Sequence, residues 1–293
     1  MANLKTSTAH NHFIHVFGDE GALVKMKECG FDGVDFSFDH WQLDYDYFLL
    51  QDEDTLKKFC ARQKAVCDRI GLDVAHTHAP YYFCDPKHYD TPVFVERFIN
   101  AIKATKYLGS NLLVVHPTYY PDPENNFERS VDINTRFYKR LQPYAIDLGV
   151  TVAVENLCAV HPITRKGVPS SNCSAEKLIR IIDGLGEGFC ACFDTGHAFF
   201  CGQNPATQLR LLGDRVKVLH LHDNDGTDDW HLIPGCGKID WEDVLKALKE
   251  INFEGYINTE VNFLRTGREE TIMQHATLVN KVSRDFIDRI EKM

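Results

Sequence analysis

The chain has 293 residues, 44% of them hydrophobic and 25% charged, which supplies a large core beneath a solvated surface. Its 32 basic and 42 acidic residues give a net charge of −10, a field that repels phosphate backbones and disfavours nucleic acid as a partner. No run of about 18 apolar residues is available to span a bilayer, and Met1-Ala-Asn-Leu-Lys-Thr lacks the apolar stretch of an export signal, so a cytoplasmic location is expected.

The first strand is predicted at Leu4–Thr8. A unit then recurs: an amphipathic helix, a glycine near its end, a short apolar run, and a polar residue. It reads Cys29-Gly30 to Asp35, Ile70-Gly71 to His76, Leu108-Gly109 to His116, Leu148-Gly149 to Glu155, Gly188 to Asp194, Val216 to His222 and Gly255 to Glu260. Glycine supplies the left-handed backbone that ends a helix, and short apolar runs are the mark of buried parallel strands. Between the runs the spacing is helical. Leu56, Phe59, Cys60, Val66, Cys67 and Ile70 share one face. Val95, Phe98, Ile99 and Ile102 share another, with Thr91 as cap and Pro92 at the first helical position. Trp241, Val244, Leu245 and Leu248 form a third, preceded by Asp240 as cap.

Seven copies and the opening strand make eight βα units. Right-handed crossovers favour their closure into a single (β/α)8 TIM barrel over residues 1–293, with the active site at the C-terminal strand ends. An open doubly wound sheet is the competing arrangement. It calls for a glycine-rich phosphate loop after the first strand, which the sequence lacks. The ten cysteines include no C-x-x-C pair, so a thiolate zinc site is disfavoured and buried reduced thiols are expected.

The apolar runs end in Asp35, His76 or His78, His116, Glu155, Asp194, His220 or His222, and Glu260. A single polar strand end is commonly a turn or capping group. In a barrel, however, all these ends ring one mouth, and crowded carboxylates repel unless a cation or proton lies between them. One or more divalent metal ions are therefore expected. Imidazole and carboxylate donors suit Mn, Mg, Co, Zn or Fe. Glu155, Asp194, His222 and Glu260 make a four-donor set on separate strands. His220 points to the same side as His222 and is expected to support it from behind.

These strand ends sit in motifs that carry a resemblance. They are His78-Ala-Pro-Tyr81, Val115-His116-Pro117, Val154-Glu155-Asn156, Phe193-Asp194-Thr-Gly-His197-Ala, Leu219-His-Leu-His222-Asp-Asn-Asp, Asp229-Trp-His231, Pro234-Gly-Cys-Gly-Lys-Ile-Asp-Trp241 and Thr259-Glu260. Spread over almost the whole chain, they resemble the xylose-isomerase-like barrel superfamily. That group holds sugar-phosphate isomerases and epimerases, inosose dehydratases and the endonuclease IV type of apurinic endonuclease. The resemblance implies a metal on Glu155, Asp194, His222 and Glu260, with Glu155 and Glu260 also moving protons on opposite faces of a bound ketose. Such a metal would stabilise an enediolate between adjacent carbonyl and hydroxyl oxygens. His197 would hold a substrate oxygen or the partner glutamate.

His78, His116, His197, Asp229 and His231 are similar to further ligands of the three-zinc endonucleases, and are candidates for substrate or second-metal contacts. The segment between His222 and Asp229 is shorter than in that pattern and lacks the arginine before Asp-x-His. Tyr81, Tyr82, Phe83 and Tyr89, with Tyr119 and Tyr120, are placed to stack on a sugar. His161, Arg165 and Lys166 are an anion-binding candidate or merely solvated surface.

The expected function is a metal-dependent isomerase or epimerase acting on a small-molecule sugar, sugar phosphate or polyol. A lyase or dehydratase is the nearest alternative, ahead of an endonuclease-like phosphodiesterase and a non-catalytic sugar-binding subunit. Homo-oligomerisation is compatible with the sequence and not specified by it.

Overall fold

A computed structural model describes residues 3–38, 49–80, 91–118, 127–160, 167–168, 173–262 and 268–293. Eight parallel strands form its centre: β1 (Leu4–Ala9), β2 (Gly33–Ser37), β3 (Asp73–His78), β4 (Leu112–Val115), β5 (Thr151–Glu155), β6 (Phe189–Asp194), β7 (Val216–His220) and β8 (Gly255–Thr259). They neighbour one another in the order β8-β1-β2-β3-β4-β5-β6-β7. The ring closes just past β7, where Leu221 bridges Thr259. There the Leu221 N–H donates to the Asn258 carbonyl at 2.9 Å and the Glu260 N–H to the Leu221 carbonyl at 3.1 Å. The predicted (β/α)8 barrel is the observed one.

The outer layer comprises α1 (Asn11–Glu28), α2 (Glu53–Ile70), α3 (Pro92–Tyr107), α4 (Phe127–Leu148), α5 (Ala175–Leu185), α6 (Thr195–Phe200), α7 (Pro205–Leu212), α8 (Trp241–Glu250) and α9 (Glu269–Lys292). The predicted caps act as such. The Thr91 hydroxyl accepts from the Phe94 N–H at 3.4 Å and the Asp240 carboxylate from the Asp243 N–H at 3.2 Å. Gly71, at φ 66°, turns α2 into β3. The apolar stripes read from the sequence face the sheet: Leu56, Cys60, Val66, Cys67, Val95, Phe98, Ile102, Val244, Leu245 and Leu248 are all buried in one core between helices and strands. No helix among the described residues is long and apolar enough to cross a membrane.

One expectation is corrected. Cys173 and Cys201 are joined as a disulfide, whereas reduced thiols were expected throughout. The two lie 28 residues apart, and the fold brings the segment before α5 against the end of α6. A pairing made by tertiary structure leaves no local spacing to read. Cys29, Cys60, Cys67, Cys158, Cys190 and Cys192 are buried free thiols, as expected.

Lys177 on α5 is fully buried. Its Nζ lies 4.4 Å from the centre of the Phe127 ring and makes no hydrogen bond among the described residues. Burial pushes its pKa down to about 8, against about 10.4 in an unfolded chain. Below pH 8 the folded state therefore carries the full cost of a buried ammonium, a cost that fades as the pH rises through 8 towards 10. Replacing it, Lys177→Met, should raise the thermal midpoint by about 2–4 °C at pH 7, and the gain should shrink towards pH 10. A gain independent of pH in thermal unfolding would mean that the charge is not its source.

Candidate metal centre

Alternate residues of each strand face the barrel axis. Val114, Ala153, Cys190, Cys192 and Val218 form a small apolar plug there. Two residues further along, the same inward positions carry His116, Glu155, Asp194 and His220. Plug and ligand ring are one period-two pattern whose chemistry changes at the mouth, the end where TIM barrels carry their active sites.

Glu155 is central and has no exposed surface. Its Oε2 lies 3.0 Å from His116 Nε2 and 3.5 Å from His78 Nε2. Its Oε1 lies 3.2 Å from His220 Nδ1 and 3.5 Å from His197 Nδ1. The same His220 Nδ1 is 2.9 Å from Glu260 Oε2. One buried carboxylate thus meets four imidazoles, and one imidazole nitrogen meets two glutamates.

Asp194 ends β6 and caps α6, its Oδ1 accepting from the His197 N–H at 2.6 Å while Oδ2 lies 3.0 Å from His222 Nε2. Asn156 fixes that strand end. It donates to the Asp194 carbonyl at 2.8 Å and accepts from the Asp194 N–H at 2.7 Å.

A second cluster joins His197, His222, Asp229 and His231. Asp229 Oδ2 lies 3.1 Å from His231 Nε2 and 3.3 Å from His197 Nε2. The His222 and His231 rings stack 3.9 Å apart. A Cβ at Gly196 would collide with the His222 ring, so glycine is what lets that ring lie against the first turn of α6. Asp223 shapes the loop that brings Asp229 and His231 inward. Its carboxylate accepts the N–H groups of Asn224, Gly235 and Ile239 at 2.9, 2.8 and 3.1 Å, and the Trp241 indole N–H at 2.8 Å.

The charges are mutually held. Burial raises Glu155, but the imidazoles of His220 and His116 outweigh it and keep the carboxyl well below the usual range. Burial likewise opposes, and His220 and His231 overcome, the same shift at Glu260; His231 and His197 do so at Asp229. In return, and against the lowering effect of burial, Glu155 lifts His78 to about 9 and Asp229 lifts His231 to about 10. Cys158, beside the cavity, is pushed up to about 12 by burial and stays a thiol.

The donors fit a cation. His78 Nε2, His222 Nδ1 and Asp229 Oδ1 are buried without a hydrogen bond among the described residues. Imidazole and carboxylate atoms converge within 4.8 Å in several groups, and such donors suit divalent transition metals.

The expected donors Glu155, Asp194 and Glu260 come together, but the histidine that joins them is His220. Asp194 and His220 are register partners across β6 and β7. His222 faces the same way two residues further out, in the second cluster. His222 Nε2 also lies 3.0 Å from Asp194 Oδ2, so both histidines adjoin the expected carboxylates. His78 and His116 face Glu155; His197, Asp229 and His231 form the second cluster. Tyr81, Tyr82, Phe83, Tyr89, Tyr119, Tyr120, His161, Arg165 and Lys166 lie outside the described residues. Sequence reasoning gave no role to Asn156 or Asp223, although both stand beside ligand candidates in the quoted motifs.

A cavity of ≈ 250 Å³ opens over these groups, with Asn11, Ser37 and Cys158 beside the histidines and carboxylates. The family model described as xylose isomerase-like TIM barrel matches residues 23–280. The chain belongs to that family. An uncharacterized protein of Methanocaldococcus jannaschii is 31% identical over 223 residues, 73% of each chain. The inosose dehydratase of Clostridium beijerinckii is 33% identical over 88 residues, 23% of this chain and 28% of that one. Among solved structures, a D-tagatose 3-epimerase-like protein superposes with a TM-score of 0.75 at 24% identity over 98% of both chains. The IolI protein with a binding zinc atom gives 0.70 at 18% identity over 98% and 97%. At these identities the two structures show that this family member shares their fold.

If a cation takes these donors, it displaces the protons that His78 and His231 hold at neutral pH. Zinc binding to metal-free protein at pH 7 should release about one proton or more per ion, measured by calorimetry in buffers of different ionisation enthalpy. Release should fall as the pH passes 9 and 10, where both rings are already neutral. Binding without release at pH 7 would contradict the charge assignment.

Proposed function

We propose that the chain is a divalent-metal-dependent isomerase or epimerase acting on a sugar, sugar acid or polyol, with Glu155, Asp194, Glu260 and one of His220 and His222 as metal ligands. The supporting observation is the approach of Glu155 and Glu260 to one nitrogen of His220, at 3.2 and 2.9 Å. A divalent ion held there would polarise neighbouring carbonyl and hydroxyl oxygens of a substrate and acidify the carbon between them.

The two glutamates divide the work. Both are held ionised by neighbouring imidazoles, the condition for accepting a carbon-bound proton. Glu155 is sealed, whereas the Glu260 side chain keeps 27% of its surface exposed towards the mouth. Taking a proton from one face of a substrate carbon and returning it to the other would call for one carboxylate on each side of that carbon. His78, His116, Asn11 and Ser37 offer donors for hydroxyl oxygens. The cavity is smaller than the about 300–1,000 Å³ of pockets for drug-sized ligands, which suits a monosaccharide-sized substrate. The epimerase and zinc-bearing neighbours are consistent with this reading. The inosose dehydratase relative keeps elimination as the nearest variant, in which the same proton abstraction expels a neighbouring hydroxyl.

A second reading is a multinuclear hydrolase. Its support is specific: His78 and His116 on one side of Glu155, and His197, His222, Asp229 and His231 on the other, provide donors beyond a four-ligand site. The net charge of −10 weighs against a nucleic-acid substrate.

With a panel of ketoses and inosose derivatives in deuterated water, metal-loaded protein should incorporate solvent deuterium into its substrate. Glu155→Gln and Glu260→Gln should each slow that exchange by about 10²–10⁴-fold. Undiminished exchange in both variants would remove the acid–base assignment. Zinc-dependent cleavage of an abasic duplex that requires His116 and His231 would favour the hydrolase.

A further inference from the structure

The cavity reaches beyond the proposed acid–base pair. Glu155 ends β5 and Glu260 follows β8. In the strand order, β1 to β4 run from one glutamate round to the other on the side away from Asp194. Asn11, Asp35, Ser37, His78 and His116 line the cavity along that arc. A sugar that reacts beside the glutamates has this arc left for its remaining carbons.

Asp35 on β2 is the carboxylate of this wall, and it is 1% exposed. His76 Nε2 stands 3.5 Å from its Oδ1, and His220 Nε2 stands 3.8 Å from its Oδ2. Oδ1 makes no hydrogen bond among the described residues, and 3.8 Å is too long for one at Oδ2. Two imidazoles thus adjoin the carboxylate without saturating it. A carboxylate accepts at about four lone-pair sites, and burying one with those bonds unmade is costly. The fold nevertheless aims it inward. β2 and β3 run in register from Gly33–Asp73 to Val34–Val74, then shift so that Asp35 faces His76, and a bulge of this kind re-aims the side chains beyond it. Asp35 and Ser37, two residues apart, then share the inner face. The His10 N–H donates to the Asp35 carbonyl at 3.2 Å, which holds the start of α1, with Asn11, alongside.

We infer that Asp35 is a specificity-determining residue: beside Asn11 and Ser37 it accepts hydroxyl hydrogens from the end of the substrate remote from the reacting carbons, and it rejects a phosphate or carboxylate there. A hydroxyl gives the carboxylate the donor it lacks. A phosphate dianion brings only acceptors and a like charge. The substrate class narrows to uncharged sugars and polyols, which rests on the isomerase or epimerase reading given above. The subsite is the same whichever of His220 and His222 binds the cation.

Solvent-deuterium exchange by metal-loaded protein tests the inference, with D-fructose, D-tagatose and an inosose as probes and each ketose paired with its terminal phosphate ester. The parent should favour the neutral ketose in kcat/KM by about 10–100-fold. Asp35→Asn keeps the side-chain volume and removes the charge. Its KM for the neutral sugar should rise about tenfold, with a smaller change in kcat, and the disadvantage of the phosphate ester should shrink. Asn11→Ala should raise KM by about 3–10-fold. Equal or better use of the phosphate ester by the parent overturns the inference alone. So does Asp35→Asn with KM and the ester ratio unchanged, or with kcat lowered and KM unchanged. Where Asp35→Asn does not fold, an unchanged KM in Asn11→Ala overturns it. Absence of exchange into every probe by the parent overturns the proposed function and this inference with it.

Discussion

The carboxylate of Glu155 is the constraint around which the mouth of the barrel is arranged. A charge with no exposed surface survives in a protein interior only if groups of opposite sign or hydrogen-bond donors surround it. Here the surroundings are imidazoles contributed by β3, the residue after β4, β7 and α6. Because each comes from a different part of the chain, the pairing exists only after the barrel has formed. Folding and site assembly are one event, and the site records how accurately the strands are staggered.

Much of this was legible in the sequence for a simple reason. Period-two strands bring the last inward residue of each run to the same rim, so Glu155, Asp194 and Glu260 could be named from their places after apolar runs. What the sequence left ambiguous was height along the axis. His220 and His222 face the same way, and only the register of β7 against β6 shows which is level with Asp194. Register shifts at Val34/Asp35 and Ala191/Cys192 are set by packing between distant strands and carry no local mark. The same holds for the Cys173–Cys201 pair. Asp223 was hidden differently: within Leu-His-Asp it reads as one more acidic residue, and its role depends on four N–H groups that arrive from the following loop and α8.

Fold and chemistry separate in the family comparison. The barrel is shared with structures at or below 24% identity, which fixes the architecture and leaves the reaction to the side chains. The side chains point two ways at once. Paired glutamates about one histidine favour proton transfer on a carbon skeleton, whereas the surplus of imidazoles would serve a polynuclear centre. Both demands fall on Glu155, whose two oxygens face different histidines.

Between β7 and β8 the barrel is fastened at a narrow seam, where Leu221 bridges Thr259. His220 precedes that stitch and Glu260 follows it, and their side chains meet at 2.9 Å. Opening at that seam must therefore part these two groups, and whatever draws them together also acts as a clasp on it. Closure of the scaffold and readiness of the site become one equilibrium, which amide hydrogen exchange at Leu221 and Glu260 would follow directly.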